Sequence, residues 1–237
     1  MIERILPDRV VAVETRRDLL DIELFPEEQV SVANAVEKRR REFVTARACA
    51  RLALQRLGLA VQPIPNGERG EPCWPAGVVG SITHCAGYRA CAMAHASAVL
   101  ALGIDAEPNE PLPEGVLAAI ALSEEQAGLE ELGRAVPGVH CDRLLFSAKE
   151  SVYKAWFPLT RRWLGFEDAS LRFEHSGGAG APGELDDPHG TFAARLLVEG
   201  PRLDGQPLTG FSGRWLVRDG VVLTAIAVDA LSPSGKT

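Results

Sequence analysis

The chain has 237 residues, 46% of them hydrophobic and 24% charged, with a formal net charge of −7. That length accommodates one large domain or two small ones, each with a real core. The composition is that of an ordinary globular protein, the negative balance excludes non-specific nucleic-acid binding, and no apolar run reaches membrane-spanning length. Met1 to Asp8 contain no apolar signal core, so the expected compartment is the cytoplasm. The five cysteines (Cys49, Cys73, Cys85, Cys91, Cys141) are odd in number and irregularly spaced, which does not describe a disulfide framework. His84-Cys85 with Cys91 and His95 lacks the paired spacing of a zinc site, so free buried thiols are expected.

In chain order, residues 10–15 read as a strand, and Pro26 with Glu27 and Glu28 opens a short helix. A long helix is predicted from about Glu37 to Leu57, stopped by Gly58, with Phe43, Leu52, Leu54 and Leu57 as its apolar residues. Over 38–57, seven cations oppose only Glu42, a local charge of +6. By itself that is a solvated face. Arg39 and Arg47 are two turns apart, however, and share one side of the helix, as an anion site requires. Residues 62–77 contain four prolines and three glycines and form an ordered loop. Strands follow at 78–83 and 88–95, joined across His84–Gly87, and at 98–107, which Pro108 ends. Alternation in the last of these places Leu100, Leu102 and Ile104 on one face and Gly103, Asp105 and Glu107 on the other. Two carboxylates on one face repel unless a cation lies between them, and Gly103 leaves room for a ligand to approach the backbone.

Ser123-Glu124-Glu125-Gln126 begins another helix with a capping box. The next, Phe146–Phe157, is closed by Pro158. Helical spacing puts Phe146, Tyr153 and Phe157 on one stripe with Glu150 in its middle, and Lys149 and Lys154 on either side. Ser147 and Glu150 also fit a capping box, which would leave Glu150 a purely local role. Against that, a carboxylate on an apolar stripe needs a cation, because desolvating it alone is costly. Trp156, Trp163 and Phe166 read as core. Residues 175–190 read as a mobile loop, and 191–198, 211–218 and 221–229 as strands, the last two joined by an Asp219-Gly220 turn. Phe43-x-x-x-Arg47 is faintly echoed by Phe146-x-x-x-Glu150.

Asp105, Glu107 and Glu150 come from separate elements and lack histidine or thiolate companions. That donor set suits a hard cation bound through oxygen, Mg²⁺ or Mn²⁺. The basic residues Arg39, Arg47, Arg69, His84, Lys149 and Lys154 suit phosphates, so the combination points to chemistry at a pyrophosphate.

Gly103-Ile104-Asp105-Ala106-Glu107-Pro108 and Phe146-Ser147-Ala148-Lys149-Glu150-Ser151-Val152-Tyr153-Lys154-Ala155 together resemble the paired signature of the 4′-phosphopantetheinyl transferases. The resemblance is to the long single-chain type, including the enterobactin-synthase component D branch. Gly70-Glu71-Pro72 and Ser81-Ile82-Thr83-His84 resemble two further motifs of that branch. It implies an α+β fold of two similar halves, 1–102 and 103–237, related by a pseudo-twofold. Each half is a small, mostly antiparallel sheet on a long helix, with the site in the cleft between them. It implies Mg²⁺-dependent transfer of 4′-phosphopantetheine from coenzyme A to a serine of an apo carrier protein, releasing adenosine 3′,5′-bisphosphate, by a monomer. Asp105, the Ala106 carbonyl, Glu107 and Glu150 would hold the metal. Glu150 would take the serine proton and Lys154 would neutralise the pyrophosphate. Thr83 and His84 would contact the 3′-phosphate. Arg39, Arg47 and Lys149 would meet other phosphate oxygens, and the loop of Asn66, Gly67, Glu68, Arg69, Gly70, Glu71 and Pro72 would cradle the adenine end. Many relatives carry lysine at the position of Glu71, a charge that Arg69 would supply here. Two other readings fit the residues alone: a non-catalytic coenzyme A-binding module, and another Mg²⁺-dependent enzyme that cleaves a nucleotide pyrophosphate.

Overall fold

The computed structural model describes residues 1–19, 22–177 and 187–230. It has the expected α+β architecture, built on two antiparallel sheets. The first contains β1 (Val11–Thr15), β2 (Val78–Cys85) and β3 (Tyr88–His95) in the order β1-β3-β2. The second contains β4 (Val99–Pro108), β5 (Ala169–His175), β6 (His189–Leu196), β9 (Gly210–Arg218) and β10 (Val221–Asp229) in the order β4-β10-β9-β6-β5, with a short hairpin of β7 (Arg202–Leu203) and β8 (Gln206–Pro207) beside it. Short helices α1 (Pro26–Gln29) and α3 (Val116–Ile120) complement α2 (Glu37–Arg56), α4 (Ser123–Ala135) and α5 (Cys141–Thr160). Among the described residues no helix is long and apolar enough to cross a membrane.

β3 is buried on both faces, which small residues permit. Cys91 and Met93 meet Ala50, Ala53 and Leu54 of α2. Ala90, Ala92 and Ala94 face the second sheet, where Leu102, Ile104, Leu223 and Ala225 complete a shared core with Ile2 and Ile5. On the other side of the second sheet, Leu144, Leu145, Ala148, Val152 and Trp156 of α5 pack with Leu129 and Leu132 of α4 against Phe192, Trp215 and Ile226.

The edges β2 and β4 meet through side chains. Ser81 Oγ accepts the Ile104 N–H at 3.0 Å and Thr83 Oγ1 accepts the Ala106 N–H at 2.9 Å. Two hydroxyls thus satisfy backbone donors of β4 that its other neighbour, β10, does not.

Several expectations need correcting. α5 runs from Cys141 to Thr160 with Pro158 inside its last turn, and Arg161, which caps its C-terminus, adopts φ 55°. A proline that near the end forfeits only one backbone bond. Ser147 is therefore mid-helix, its Oγ 3.0 Å from Thr224 Oγ1, and the local capping role for Glu150 falls away. At Gly103 a Cβ would lie 2.0 Å from the Ser151 carbonyl oxygen, so the space there belongs to the α5 backbone and not to a ligand. Trp156 is core, but Trp163 is 69% exposed, its ring centroid 5.1 Å from that of Tyr153. Leu52 of α2 is exposed. Cys49 and Cys91 are buried and free, whereas Cys73 is exposed. β5 and α3 are additions to the elements expected from the sequence. Most of the loop expected at 175–190 falls on residues 178–186, outside the described residues.

Candidate active site

A cleft of about 760 Å³ opens between the two sheets, with α2 on one side and α5 on the other. Arg39, Arg47, Asn66, Arg69, Gly70, Glu71, Pro72, Thr83, His84, Asp105, Glu107, Glu150 and Lys154 all line it. The stripe read from α5 faces it too: Phe146, Glu150, Tyr153 and Phe157 are on its wall, opposite Phe43.

The acidic end is built on β4 and α5. Asp105 is 4% exposed. Its Oδ1 accepts from Lys154 Nζ at 2.7 Å and from Thr83 Oγ1 at 3.1 Å, and Lys154 also donates to the Ile104 carbonyl at 3.2 Å. Asp105 Oδ2 is buried with no hydrogen-bond partner among the described residues. An ionised oxygen in that state is costly unless a cation meets it, so a divalent ion fits this position. Glu107 is pushed up to about 7 by burial first and Asp105 second, against the pull of Arg143 on its Oε2 at 3.0 Å. Burial also raises Glu150, with Lys154 acting against it. Among the described residues no group of three or more His, Cys, Asp or Glu side chains is placed to hold a metal ion by itself. Mg²⁺ does not need one, since it keeps waters and takes ligands from substrate phosphates. Ala106 is wholly buried between Asp105 and Glu107. Its N–H is turned to β2, and it is not among the residues that line the cleft.

The basic end is built on α2 and β2. Arg39 donates to His84 Nε2. Arginine only donates, so the neutral ring carries its proton on Nδ1, 3.7 Å from Glu42. Burial and then Arg39 hold His84 below the ordinary imidazole value. Arg47, 3% exposed, donates through Nε to the Ile64 carbonyl at 2.7 Å, bonds Asn66 Oδ1, and lies 4.2 Å from the Phe43 ring centroid. Burial pulls it to about 10, which leaves it charged at neutral pH.

The loop between these elements closes on Glu71. Asn66 pairs with Pro72, and Gly67 N–H donates to the Glu71 carbonyl at 2.7 Å. Glu71 Oε2 accepts the Arg69 N–H at 3.0 Å and Oε1 accepts from Arg161 at 2.8 Å. A Cβ at Gly67 would fall 2.4 Å from Glu71 Oε1, so the Glu71 carboxylate would have to shift. Gly67 and the exposed Glu68 shape this turn without lining the cleft.

Lys149 is the clear departure. Its ammonium turns into the second core, 3.0 Å from Glu125 and donating to the carbonyls of Ile120, Phe166 and Ala169 at 2.9, 2.7 and 3.2 Å. It does not reach the cleft. Two cations that sequence reading passed over do matter: Arg143, which holds Glu107, and Arg161, which meets Glu71. Arg143 was detectable in principle, being two turns before Glu150 on one face of α5. Arg161 keeps the same spacing, two turns after Lys154 and one after Phe157, but lies beyond Pro158, the expected helix stop.

A family model described as 4′-phosphopantetheinyl transferase N-terminal domain matches residues 27–94, and one described as 4′-phosphopantetheinyl transferase superfamily matches 101–197. The chain is 52% identical to 4′-phosphopantetheinyl transferase Npt of Nocardia iowensis, over 96% of this chain and 99% of the relative. It is 51% identical to 4′-phosphopantetheinyl transferase Svp of Streptomyces mobaraensis, over 99% and 91%. Enterobactin synthase component D of Salmonella typhi is 32% identical over about half of each chain, 52% and 50%. Identity at that level along nearly the whole of both chains leaves one conclusion: this chain belongs to the 4′-phosphopantetheinyl transferases.

Proposed function

We propose that the chain, as a monomer, transfers 4′-phosphopantetheine from coenzyme A to a serine hydroxyl of an apo acyl or peptidyl carrier protein, releasing adenosine 3′,5′-bisphosphate. The observation that carries this reading is Asp105. Its Oδ1 is held by Lys154, its Oδ2 is buried and open, and it lies in one cleft with Arg39, His84 and Arg47. In this reading Asp105, Glu107, Glu150 and the Ala106 carbonyl hold a Mg²⁺ or Mn²⁺ ion. When bound, that ion supplies positive charge at the pyrophosphate. Arg39 and His84 receive the 3′-phosphate, Arg47 anchors Asn66, and the Asn66–Pro72 turn with Arg69 cradles the adenine end. The serine oxygen attacks the β-phosphorus and its proton passes to Glu150, directly or through water. The bond from that phosphorus to the bridging oxygen breaks, and the leaving bisphosphate takes the electron pair beside Lys154. Two halves, 1–102 and 103–237, related by a pseudo-twofold belong to the same proposal. Phe43 with Arg47 and Phe146 with Glu150, facing across one cleft, support it.

The test mixes protein, Mg²⁺, coenzyme A and an apo carrier protein, and reads the intact mass of the carrier. One phosphopantetheine is gained, and Glu150→Gln and Asp105→Ala each abolish the gain. Coenzyme A binding with no gain across several carriers makes the chain a binding module. Nucleotide release with no carrier modification makes it a different pyrophosphate-cleaving enzyme.

A further inference from the structure

A threonine hydroxyl has one proton to give. Thr83, 2% exposed, gives it to Asp105 Oδ1 at 3.1 Å and accepts the Ala106 N–H at 2.9 Å. A phosphate oxygen only accepts, so the Thr83 side chain cannot bind a phosphate without releasing Asp105. Lys154 grips the same carboxylate oxygen at 2.7 Å. Two donors from two different elements hold Oδ1, and Oδ2 is the oxygen left open.

We infer that the Thr83 hydroxyl is a positioning group for the cation site: from β2 it fixes the Asp105 carboxylate of β4 so that Oδ2 is presented to the divalent ion. This inference rests on the metal reading above. It also gives the seam between the sheets a function. The hydroxyl that joins β2 to β4 at Ala106 is the one that sets Asp105, so the geometry of the cation site depends on both sheets being in register. Thr83→Val keeps the shape and removes both bonds, whereas Thr83→Ser keeps the hydroxyl.

The experiment titrates Mn²⁺ by electron paramagnetic resonance with saturating coenzyme A, and repeats the titration with dephospho-coenzyme A, which lacks the 3′-phosphate. Outer partners of metal ligands are typically worth 10–100-fold in metal affinity, so Thr83→Val is expected to weaken Mn²⁺ binding by about 10–100-fold with either nucleotide. Thr83→Ser restores the wild-type value. Unchanged Mn²⁺ affinity in Thr83→Val overturns the inference. So does a loss of nucleotide affinity, by calorimetry, that appears with coenzyme A and vanishes with dephospho-coenzyme A, because that pattern marks a 3′-phosphate contact. Should the valine variant fail to fold by circular dichroism, Thr83→Ala carries the same readouts. Wild-type protein that binds no Mn²⁺ at all refutes the metal assignment itself, and this inference with it.

Discussion

Lys149 separates the local reading of α5 from the tertiary one, and Lys149→Met tests the difference. Methionine keeps the length of the stem and removes the charge. It leaves Glu125, whose side chain is 1% exposed, without its cation, and three carbonyls without a shared donor. Breaking a buried pair from one side costs about 3–5 kcal/mol. Glu125 keeps the N–H groups of Leu122 at 2.7 Å and Leu171 at 2.8 Å, which puts the loss near the lower bound, about 3 kcal/mol. For a chain of this size each kcal/mol moves Tm by about 2–4 °C, so a fall of about 6–12 °C is expected. Thermal unfolding followed by circular dichroism measures it, and Lys149→Met with Glu125→Gln should recover part of the loss, since the orphaned charge is then gone. Coenzyme A affinity, measured well below the new Tm, should stay near wild type. A variant with unchanged Tm and weakened coenzyme A binding would refute this reasoning and return Lys149 to the cleft.

Gly103→Ala places a Cβ 2.0 Å from the Ser151 carbonyl oxygen and 2.9 Å from Ala155 N, both backbone atoms of α5. Overpacking costs about 1–3 kcal/mol and here displaces the helix carrying Glu150 and Lys154, so Tm and transfer rate fall together; wild-type kinetics in a folded variant contradict it. Glu107 is held near 7 where an ordinary carboxyl has 4.5. Without metal, the folded protein binds that proton more tightly than the unfolded chain does. Its stabilising contribution is therefore complete below about 4.5 and is lost as pH rises to about 7. Metal-free wild-type protein should lose stability relative to Glu107→Gln across that window, and a difference of opposite sign, read from Tm against pH, counts against the assignment. Lys154→Ala should lower turnover more than coenzyme A affinity, because charge builds beside it only as the bond breaks; an effect confined to affinity makes it a positioning group.

Two local periods made the candidate site legible. Helical spacing put Glu150 among Phe146, Tyr153 and Phe157, and strand alternation put Asp105 and Glu107 on one face. Both faces open on the cleft, because neither period depends on what packs elsewhere. The boundaries were less secure. α5 begins five residues before Phe146 and runs past Pro158, because a last-turn proline is tolerated. Ala169, Leu171 and Phe173 alternate as a strand should, but they lie between an aromatic-rich helix exit and a Gly-rich segment, which masks the signal of β5.

By itself, then, the order of residues determined which groups share a face and which chemistry those groups suit, since periodicity and donor type are properties of a few neighbouring residues. It could not determine what each face meets. What the Lys149 ammonium, the gap at Gly103 and the Thr83 hydroxyl each meet is decided by partners 20 to 50 positions away. Only the packing of α5 on β4, and of β2 against β4, brings those partners within reach, and an ammonium, a hydroxyl or an absent Cβ acts through the atom it touches.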